Sequence, residues 1–142
     1  MSDDRLKLKI LTAEGVIEEG EYDKVVAPGY VGQFGVLPGH IAFITPLDVG
    51  EVKATPPGGE GASEKTFAVH GGFCEVQENN VLVLATAAEP KEEIDAERAK
   101  RAEQRARDRL SDRKKDDIDT ARAETALKRA LVRLQVHSGE TD

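Results

Sequence analysis

The hydrophobic pattern of this chain changes its period near residue 87. Up to residue 86, apolar and polar residues alternate in short runs separated by glycine and proline, which is typical of β-strands. Residues 94–137 contain neither glycine nor proline, and their apolar residues recur every three or four positions, as in amphipathic helices. The sequence therefore predicts an α+β chain with a β domain over residues 1–87 and a helical domain over residues 88–142.

The first part predicts a β-sandwich or flattened barrel, because it divides into many short strands separated by turn residues. Residues 28–40 hold four glycines and two prolines and are expected to form mostly loop with short strand pieces. Residues 56–61 are rich in the same two residue types and are expected to form a hairpin tip. The expected strands cover residues 6–10, 16–27, 41–45, 48–54, 65–70, 73–77 and 81–86.

The second part predicts two helices in an antiparallel hairpin, because the polar connection at residues 111–116 is short. Asp95 and either Asp117 or Asp119 are expected to cap the helix N-termini. Each helix carries a stripe of small and apolar residues through which the two helices can approach closely. The stripes comprise Ala96, Ala99, Ala102, Ala106 and Leu110 on the first helix and Ala123, Leu127, Ala130, Leu131 and Leu134 on the second.

The net charge of −7 belongs to the first part of the chain. Residues 1–86 carry 13 acidic and 6 basic residues, which leaves −7, whereas residues 87–142 carry 14 of each and are neutral. Because a nucleic-acid-binding protein needs a net basic face, nucleic acid is not expected among the partners. Dense but balanced charge suits solvated helices with many ion pairs four residues apart.

The residue types used in catalysis and metal binding occur here without a recognisable arrangement. The histidines, His40, His70 and His137, lack metal-ligand spacing, so no metal site is expected. The spacing suggests no catalytic triad or pair of catalytic carboxylates, so the chain is not expected to be an enzyme. Cys74 is the single cysteine, which excludes an intrachain disulfide and favours a buried thiol in a reducing compartment.

Neither a signal peptide nor a membrane span is expected from the sequence. Residues 1–5 are acidic and polar, and the strand that follows is too short and too charged for a signal peptide. No stretch reaches the roughly 18 consecutive apolar residues that a transmembrane helix requires. Any membrane association is therefore expected to come through a partner.

Four arginines of the helical part form a suggestive set. Arg98 and Arg105 lie on one face of the first helix, and Arg129 and Arg133 lie on one face of the second. Guanidinium groups that converge in this way match phosphate oxygens. The alternative is a solvated surface of ion pairs, which the spacing alone favours. The acidic residues available for such pairs are Glu97, Glu103, Asp108 and Glu124.

A series of motifs extends in a fixed order over nearly the whole chain. It comprises Gly-Val-Leu-Pro-Gly-His at residues 35–40, Thr-Pro-Leu at 45–47 with Gly50, Phe-Ala-Val-His-Gly-Gly-Phe-Cys-Glu-Val at 67–76, Val-Leu-Val-Leu-Ala at 81–85 and Ile-Asp at 94–95. In this combination the chain resembles the epsilon subunits of F-type ATP synthases, of the bacterial type. The resemblance implies a β-sandwich and a two-helix domain in a non-catalytic subunit of the rotating central stalk.

The resemblance also implies partners and the surfaces that meet them. Such a subunit binds the gamma subunit, touches the membrane ring of c subunits, and reaches the alpha and beta subunits when its helices extend. It lies peripherally on the cytoplasmic face of the bacterial plasma membrane, where it couples proton translocation to ATP synthesis and restrains ATP hydrolysis. The implied c-ring contacts are Tyr30, Val31, Gly32, Gln33 and Phe34. The implied gamma contacts are His40, Ile41, Ala42, Phe43 and Ile44.

A regulatory ATP site is implied in the helical hairpin. Some bacterial epsilon subunits bind ATP through an I/L-D-x-x-R-A motif and arginines of the second helix, and this chain carries the motif at residues 94–99. ATP would favour the folded hairpin, whereas an extended hairpin would block rotation; no cofactor is otherwise required. The implied ATP-binding residues are Glu89, Ile94, Asp95, Arg98, Ala99, Arg105, Arg129 and Arg133.

A free-standing nucleotide sensor is the rival function. Such a sensor has no need for the apolar, glycine-rich segment at residues 28–40, whereas a docking module does. A third class, an enzyme with its active site in the β part, lacks candidate residues.

Overall fold

The computed structural model describes residues 5–58, 63–112 and 117–139. Its contacts divide the chain into two units, Met1–Pro90 and Lys91–Asp142, which we name the β unit and the helical unit. The division falls after Pro90 rather than after Ala87, because the segment Ala88–Pro90 pairs with an earlier strand as part of the sheet.

The β unit is one eight-stranded sheet whose strands enclose a single core, which is the expected sandwich. Its strands are β1 (Leu6–Thr12), β2 (Gly15–Tyr22), β3 (Lys24–Gly29), β4 (Gly32–Val36), β5 (Phe43–Thr55), β6 (Lys65–Gln77), β7 (Asn80–Ala85) and β8 (Ala88–Pro90). They follow the order β2-β1-β7-β6-β5-β3-β4, and β8 pairs with β6 beyond the end of β7. All pairings are antiparallel except that of β1 with β7, which is parallel.

Several strands differ from the sequence expectation. The predicted strand over residues 16–27 is two strands, β2 and β3, which separate at Asp23. The predicted pairs 41–45 with 48–54 and 65–70 with 73–77 are instead the single long strands β5 and β6. Gly71 and Gly72 adopt φ of +84° and +126°, so β6 bends there without ending.

Part of the predicted loop at residues 28–40 is also regular structure. β3 continues to Gly29, and β4 occupies Gly32–Val36, so the two strands form a hairpin. Gly32 begins β4 with φ of +131°, a conformation that glycine adopts without steric cost. The glycines thus serve the turn of a hairpin. The predicted tip at residues 56–61 falls partly outside the described residues.

The core of the β unit is aliphatic and lies between the inner faces of the folded sheet. Alternate residues of β1, β6 and β7 point inward, as period-two patterning requires. Cys74 is fully buried among them, as expected. The largest fully buried side chains of this core are Leu6, Leu8, Ile10, Val25, Val36, Leu47, Val52, Val69, Val76, Val81 and Val83.

The helical unit opens with a 3-10 turn, Lys91–Glu93, followed by α1 (Ala96–Ser111) and α2 (Asp117–Ser138). Asp95 is the N-cap of α1, as predicted, and its carboxylate accepts a hydrogen bond from Arg98 N at 3.1 Å. Asp119 lies inside α2 and is not its cap, because the helix already begins at Asp117. Of the predicted connection at 111–116, Ser111 ends α1, and residues 113–116 lie outside the described part.

α1 and α2 contact each other; four of the ten residues in the predicted stripes are buried and five are half-buried. Ala99 and Ala106 of α1 and Ala123 and Ala130 of α2 are at most 2% exposed. Leu131 is an exception, since it is 40% exposed. The helical period places Val132 and Val136 away from the alanine stripe, and both are nevertheless buried, so α2 buries a second face near its C-terminal end.

No helix within the described residues combines the length and the apolar character needed to cross a bilayer.

Candidate functional site

A row of apolar side chains crosses the outer face of the β unit. The strand register places Pro46 of β5 opposite Phe73 of β6, Phe73 opposite Leu84 of β7, Leu84 opposite Leu11 of β1, and Leu11 opposite Val16 of β2. Phe73 and Val16 are each 53% exposed and Leu84 is 48% exposed. We name these five residues the outer row. A contiguous exposed apolar band on a folded domain marks a surface that meets a partner.

The next row of the same face is mixed in character. It runs from Ile44 through Glu75, Leu82 and Lys9 to Glu19. Ile44, which belongs to the predicted gamma contacts, is 65% exposed and stands two residues before Pro46 on β5. The predicted contact segment therefore continues into the outer row across the sheet.

An open cleft of about 440 Å³ borders this face between β1, β2 and β7. Its lining includes Lys7, Lys9, Glu19, Glu21 and Glu75. Lys9 Nζ lies 3.8 Å from Glu19 Oε2, and Lys7 stands opposite Glu21 in the register. The first of these is an ion pair across the two strands. The cleft thus borders the apolar surface with a lining of both charged and apolar residues, and these do not form a convergent set of catalytic groups.

The hairpin of β3 and β4 carries the predicted c-ring contacts. Tyr30 and Val31 form its tip and are 68% and 103% exposed. Gly32 and Gln33 follow on β4 and are exposed as well. Phe34 differs from the other four, since it is half-buried and packs against the core of the β unit. The hairpin therefore presents its tip to a partner and is anchored by Phe34.

An aromatic cluster connects this hairpin with the predicted gamma contacts. The rings of Phe34 and Phe43 meet edge to face with centroids 5.2 Å apart, and the centroids of His40 and Phe43 are 5.0 Å apart. Within the predicted gamma set, His40 and Phe43 are half-buried, while Ile41 and Ala42 are exposed, Ile41 to 78%. The inward residues thus hold the segment and the outward ones are available for contact.

The outer row was missed by sequence reasoning except where it adjoins Ile44. Its members come from five strands that are distant in sequence, so only the register brings them together. A local signal existed: Leu11 and Leu84 are apolar at positions that alternate with the core residues Ile10 and Val83. Apolar residues on both faces of a strand indicate that the second face is also covered in an assembly.

The residues predicted to bind ATP fall in both units. Glu89 lies on β8 of the β unit, where its Oε1 is 3.4 Å from Nε2 of the buried His70. Ile94 and Ala99 are buried in the helical unit, and Asp95 caps α1. The helical members of the set thus lie at the start of α1 and along both helices.

Three of the four predicted arginines have exposed side chains. Arg98 and Arg105 of α1 and Arg129 of α2 are exposed, whereas Arg133 is half-buried. Among the described residues, none of the ion pairs involves Arg98, Arg105 or Arg129.

The acidic residues of α1 have other partners. Glu97 contacts Lys100, Glu103 accepts from Arg107, and Asp108 accepts from Gln104. The predicted alternative therefore holds for α1 in its solvated surface, since Arg98 and Arg105 are exposed, but not in the pairing of these acids with the arginine set.

Two titratable groups of the β unit are strongly perturbed, and both serve the core. Burial, with a smaller contribution from Glu75, raises the pKa of the Cys74 thiol to about 12, so the thiol stays protonated and unreactive at neutral pH. Burial and the hydrogen bond that Tyr22 donates to Glu18 raise the pKa of the Tyr22 phenol. Over the residues that the structure describes, no cluster of three or more histidine, cysteine or acidic side chains is arranged to hold a metal ion.

The sandwich with its exposed outer row, followed by a helical hairpin, defines a docking protein with an appended helical unit. Residues 5–91 match the family described as ATP synthase, Delta/Epsilon chain, beta-sandwich domain, and residues 92–138 match ATP synthase, Delta/Epsilon chain, long alpha-helix domain. The chain belongs to the delta/epsilon chain family of ATP synthases.

Relatives with similar sequences carry the same description. The ATP synthase epsilon chain of Carboxydothermus hydrogenoformans is 52% identical over 78% of this chain and 79% of its own length. Those of Nitratidesulfovibrio vulgaris strain DP4 and Moorella thermoacetica are 44% and 47% identical, each over 92% of this chain and 94% of the relative.

The fold recurs in solved structures. A chain of the Euglena gracilis mitochondrial ATP synthase, OSCP/F1/c-ring in rotational state 1, is 24% identical with a TM-score of 0.76, over 88% of this chain and 76% of that chain. A chain of the Tetrahymena thermophila mitochondrial ATP synthase, central stalk/c-ring, is 13% identical with a TM-score of 0.64, over 96% of this chain and 99% of that chain.

Proposed function

We propose that this chain is the epsilon subunit of a bacterial F-type ATP synthase and serves in the central stalk as a non-catalytic rotor component. It couples proton translocation to ATP synthesis and restrains ATP hydrolysis through its helical unit. The observation that carries the proposal is the outer row, an exposed apolar band that crosses five strands of the β unit. Family membership supports the ATP synthase as the assembly in which that band would be covered.

The gamma subunit is the proposed occupant of the outer row. Ile44, a predicted gamma contact, stands beside the row on the same face, so one continuous surface includes both. The tip of the β3–β4 hairpin, with Tyr30 and Val31 exposed, is the proposed contact with the c-ring. The chain would then reach the cytoplasmic face of the membrane through these partners and lie there peripherally.

Co-purification with the gamma subunit tests the proposal. Phe73→Ser removes the apolar side chain from the centre of the outer row, and we expect it to weaken the complex by about tenfold or more, because central apolar contacts dominate such interfaces. Gln77→Ser is the matched control, since Gln77 is an exposed polar residue on the outer face of the same strand. Wild-type protein that does not associate with gamma would contradict the proposed function and favour the free-standing sensor.

Regulation by ATP is part of the proposal and concerns the helical unit. The I-D-x-x-R-A motif, together with Arg98, Arg105 and Arg129 exposed and without ion pairs among the described residues, supports an anion site there. Asp95 already caps α1. Its carboxylate would therefore support such a site indirectly, by stabilising the first turn of α1. Bound ATP would favour the folded hairpin over an extended one that reaches the alpha and beta subunits, because a ligand shifts an equilibrium by its differential affinity.

Calorimetric titration of the full chain with ATP tests this part. We expect binding that Arg129→Ala abolishes and that Arg101→Ala retains, since Arg101 is an exposed arginine of α1 outside the set. No heat of binding at millimolar ATP would overturn the ATP site, and regulation would then come from the hairpin conformation within the complex.

A further inference from the structure

The segment between β4 and β5, residues 37–42, carries exposed apolar side chains without belonging to a strand. Leu37 is 56% exposed and Ile41 is 78% exposed, and both precede Ile44 on the proposed gamma-binding surface. A loop that presents apolar contacts needs a fixed conformation, because ordering it on binding would cost conformational entropy. The aromatic contact of His40 with Phe43 holds its C-terminal half.

Asn79, forty residues further along the chain, holds the middle of this loop. Its side-chain Oδ1 accepts a hydrogen bond from Gly39 N at 2.8 Å, and its backbone carbonyl accepts one from Lys7 N at 2.8 Å. Gly39 adopts φ of +87°, so the loop backbone turns sharply at the residue whose N–H donates to Asn79. One residue thus connects the loop, the β6–β7 turn and the start of β1.

The β6–β7 turn by itself does not require asparagine. Glu78 and Asn79 link the paired residues Gln77 and Asn80, and both have positive φ, +49° and +65°. A two-residue turn of this kind favours glycine, asparagine or aspartate, because these residues tolerate positive φ. Asparagine therefore suits the turn, and its bond to Gly39 is a second role, which glycine at the same position could not fill.

We propose that Asn79 is a positioning residue for partner binding, which fixes the loop at residues 37–42 in the conformation that meets the gamma subunit. This inference rests on the proposed function. Asn79 acts through Gly39, and its own contact with the partner is not needed. Without the bond the loop samples other conformations. The free energy needed to order the loop then makes the binding free energy less favourable.

Three full-length variants separate the side-chain bond from the backbone of the turn. Asn79→Gly removes Oδ1 while suiting the positive φ. Asn79→Asp keeps an acceptor oxygen at the same place and a residue type that tolerates this conformation. Glu78→Gly, the matched control, relaxes the neighbouring position of the same turn and leaves the bond intact. The measurements are affinity for the isolated gamma subunit, exchange of the Gly39 amide followed by NMR, and thermal unfolding.

We expect Asn79→Gly to weaken gamma binding about threefold to tenfold and to speed exchange of the Gly39 amide, with no loss of thermal stability. Asn79→Asp and Glu78→Gly should match the wild type in affinity and in Gly39 exchange. Wild-type affinity in Asn79→Gly would overturn the inference while leaving the proposed function intact. Failure of the wild type itself to bind gamma would instead overturn the proposed function, and the inference with it.

Discussion

At the scale of single residues, Gly72 is the described glycine at which an added Cβ atom would lie closest to the backbone of another strand. A Cβ atom built there would lie 2.0 Å from the carbonyl oxygen of Leu84, because β6 and β7 approach each other at the bend in β6. Gly32 has nearly the same φ, +131° against +126°, but a Cβ at Gly32 would meet nothing within 4 Å. A substitution at Gly32 therefore measures the conformational cost of positive φ alone, whereas one at Gly72 adds a steric clash with the neighbouring strand.

We predict that Gly72→Ala destabilises the chain by more than about 3 kcal/mol, since strand separation adds to the strain of positive φ. Gly32→Ala should cost about 1 kcal/mol from conformation alone. Denaturant unfolding of the three proteins measures the difference. Equal losses in the two variants would contradict the collision that the geometry shows.

At the scale of elements, α1 depends on its start. Its interior is rich in alanine and arginine, which favour helix, and its packing face consists of small side chains that bury little area. A helix with so little buried area relies on its cap for a larger share of its stability. The cap is the bond from Arg98 N to the carboxylate of Asp95.

We predict that Asp95→Ala weakens the first turn of α1 by about 1 kcal/mol, which should speed exchange of its backbone amides about fivefold. Asp95→Asn should preserve the turn, because asparagine caps helices equally well. Hydrogen exchange followed by NMR gives the rates. If Asp95→Asn exchanges as fast as Asp95→Ala, the contribution of Asp95 comes from its charge and not from capping.

The sequence was sufficient for the class of the longer elements but not for β8, the 3-10 turn, every boundary or the outer surface. Hydrophobic period separated strands from helices, and the capping residue of α1 was predicted because its signal is local. The bend at Gly71 and Gly72 was read as a break, since glycine in sequence does not distinguish a bend within a strand from its end. The outer row could not be predicted, because register between distant strands is set by tertiary structure.

At the scale of the whole molecule, each unit is organised differently. The core cluster of the β unit is drawn entirely from Leu6 to Ala88, so the sandwich contains its own core. The helical unit has few residues, and its buried side chains are mainly alanines. A unit of this kind gains little from burial and can change conformation at small cost.

We predict that truncation after Glu93 leaves a folded β unit that still binds the gamma subunit. In the assembled complex the same truncation should raise the rate of ATP hydrolysis, because the restraint proposed for the helical unit is lost. Circular dichroism and steady-state hydrolysis assays check the two parts. An unchanged rate of hydrolysis would contradict the proposed regulatory role of the helical unit. Gamma binding by the truncated chain is the control, because it shows that the chain still assembles.

The parallel pairing of β1 with β7 has a consequence for synthesis of the chain. Leu8 stands opposite Val81, so β1 has a neighbouring strand on its second edge only after β7 has been synthesised. While the ribosome extends the chain between them, β1 can form only its hairpin with β2, and the other edge stays open. The residues of the helical unit follow directly, and their translation carries β7 away from the ribosome so that the sheet can close before release.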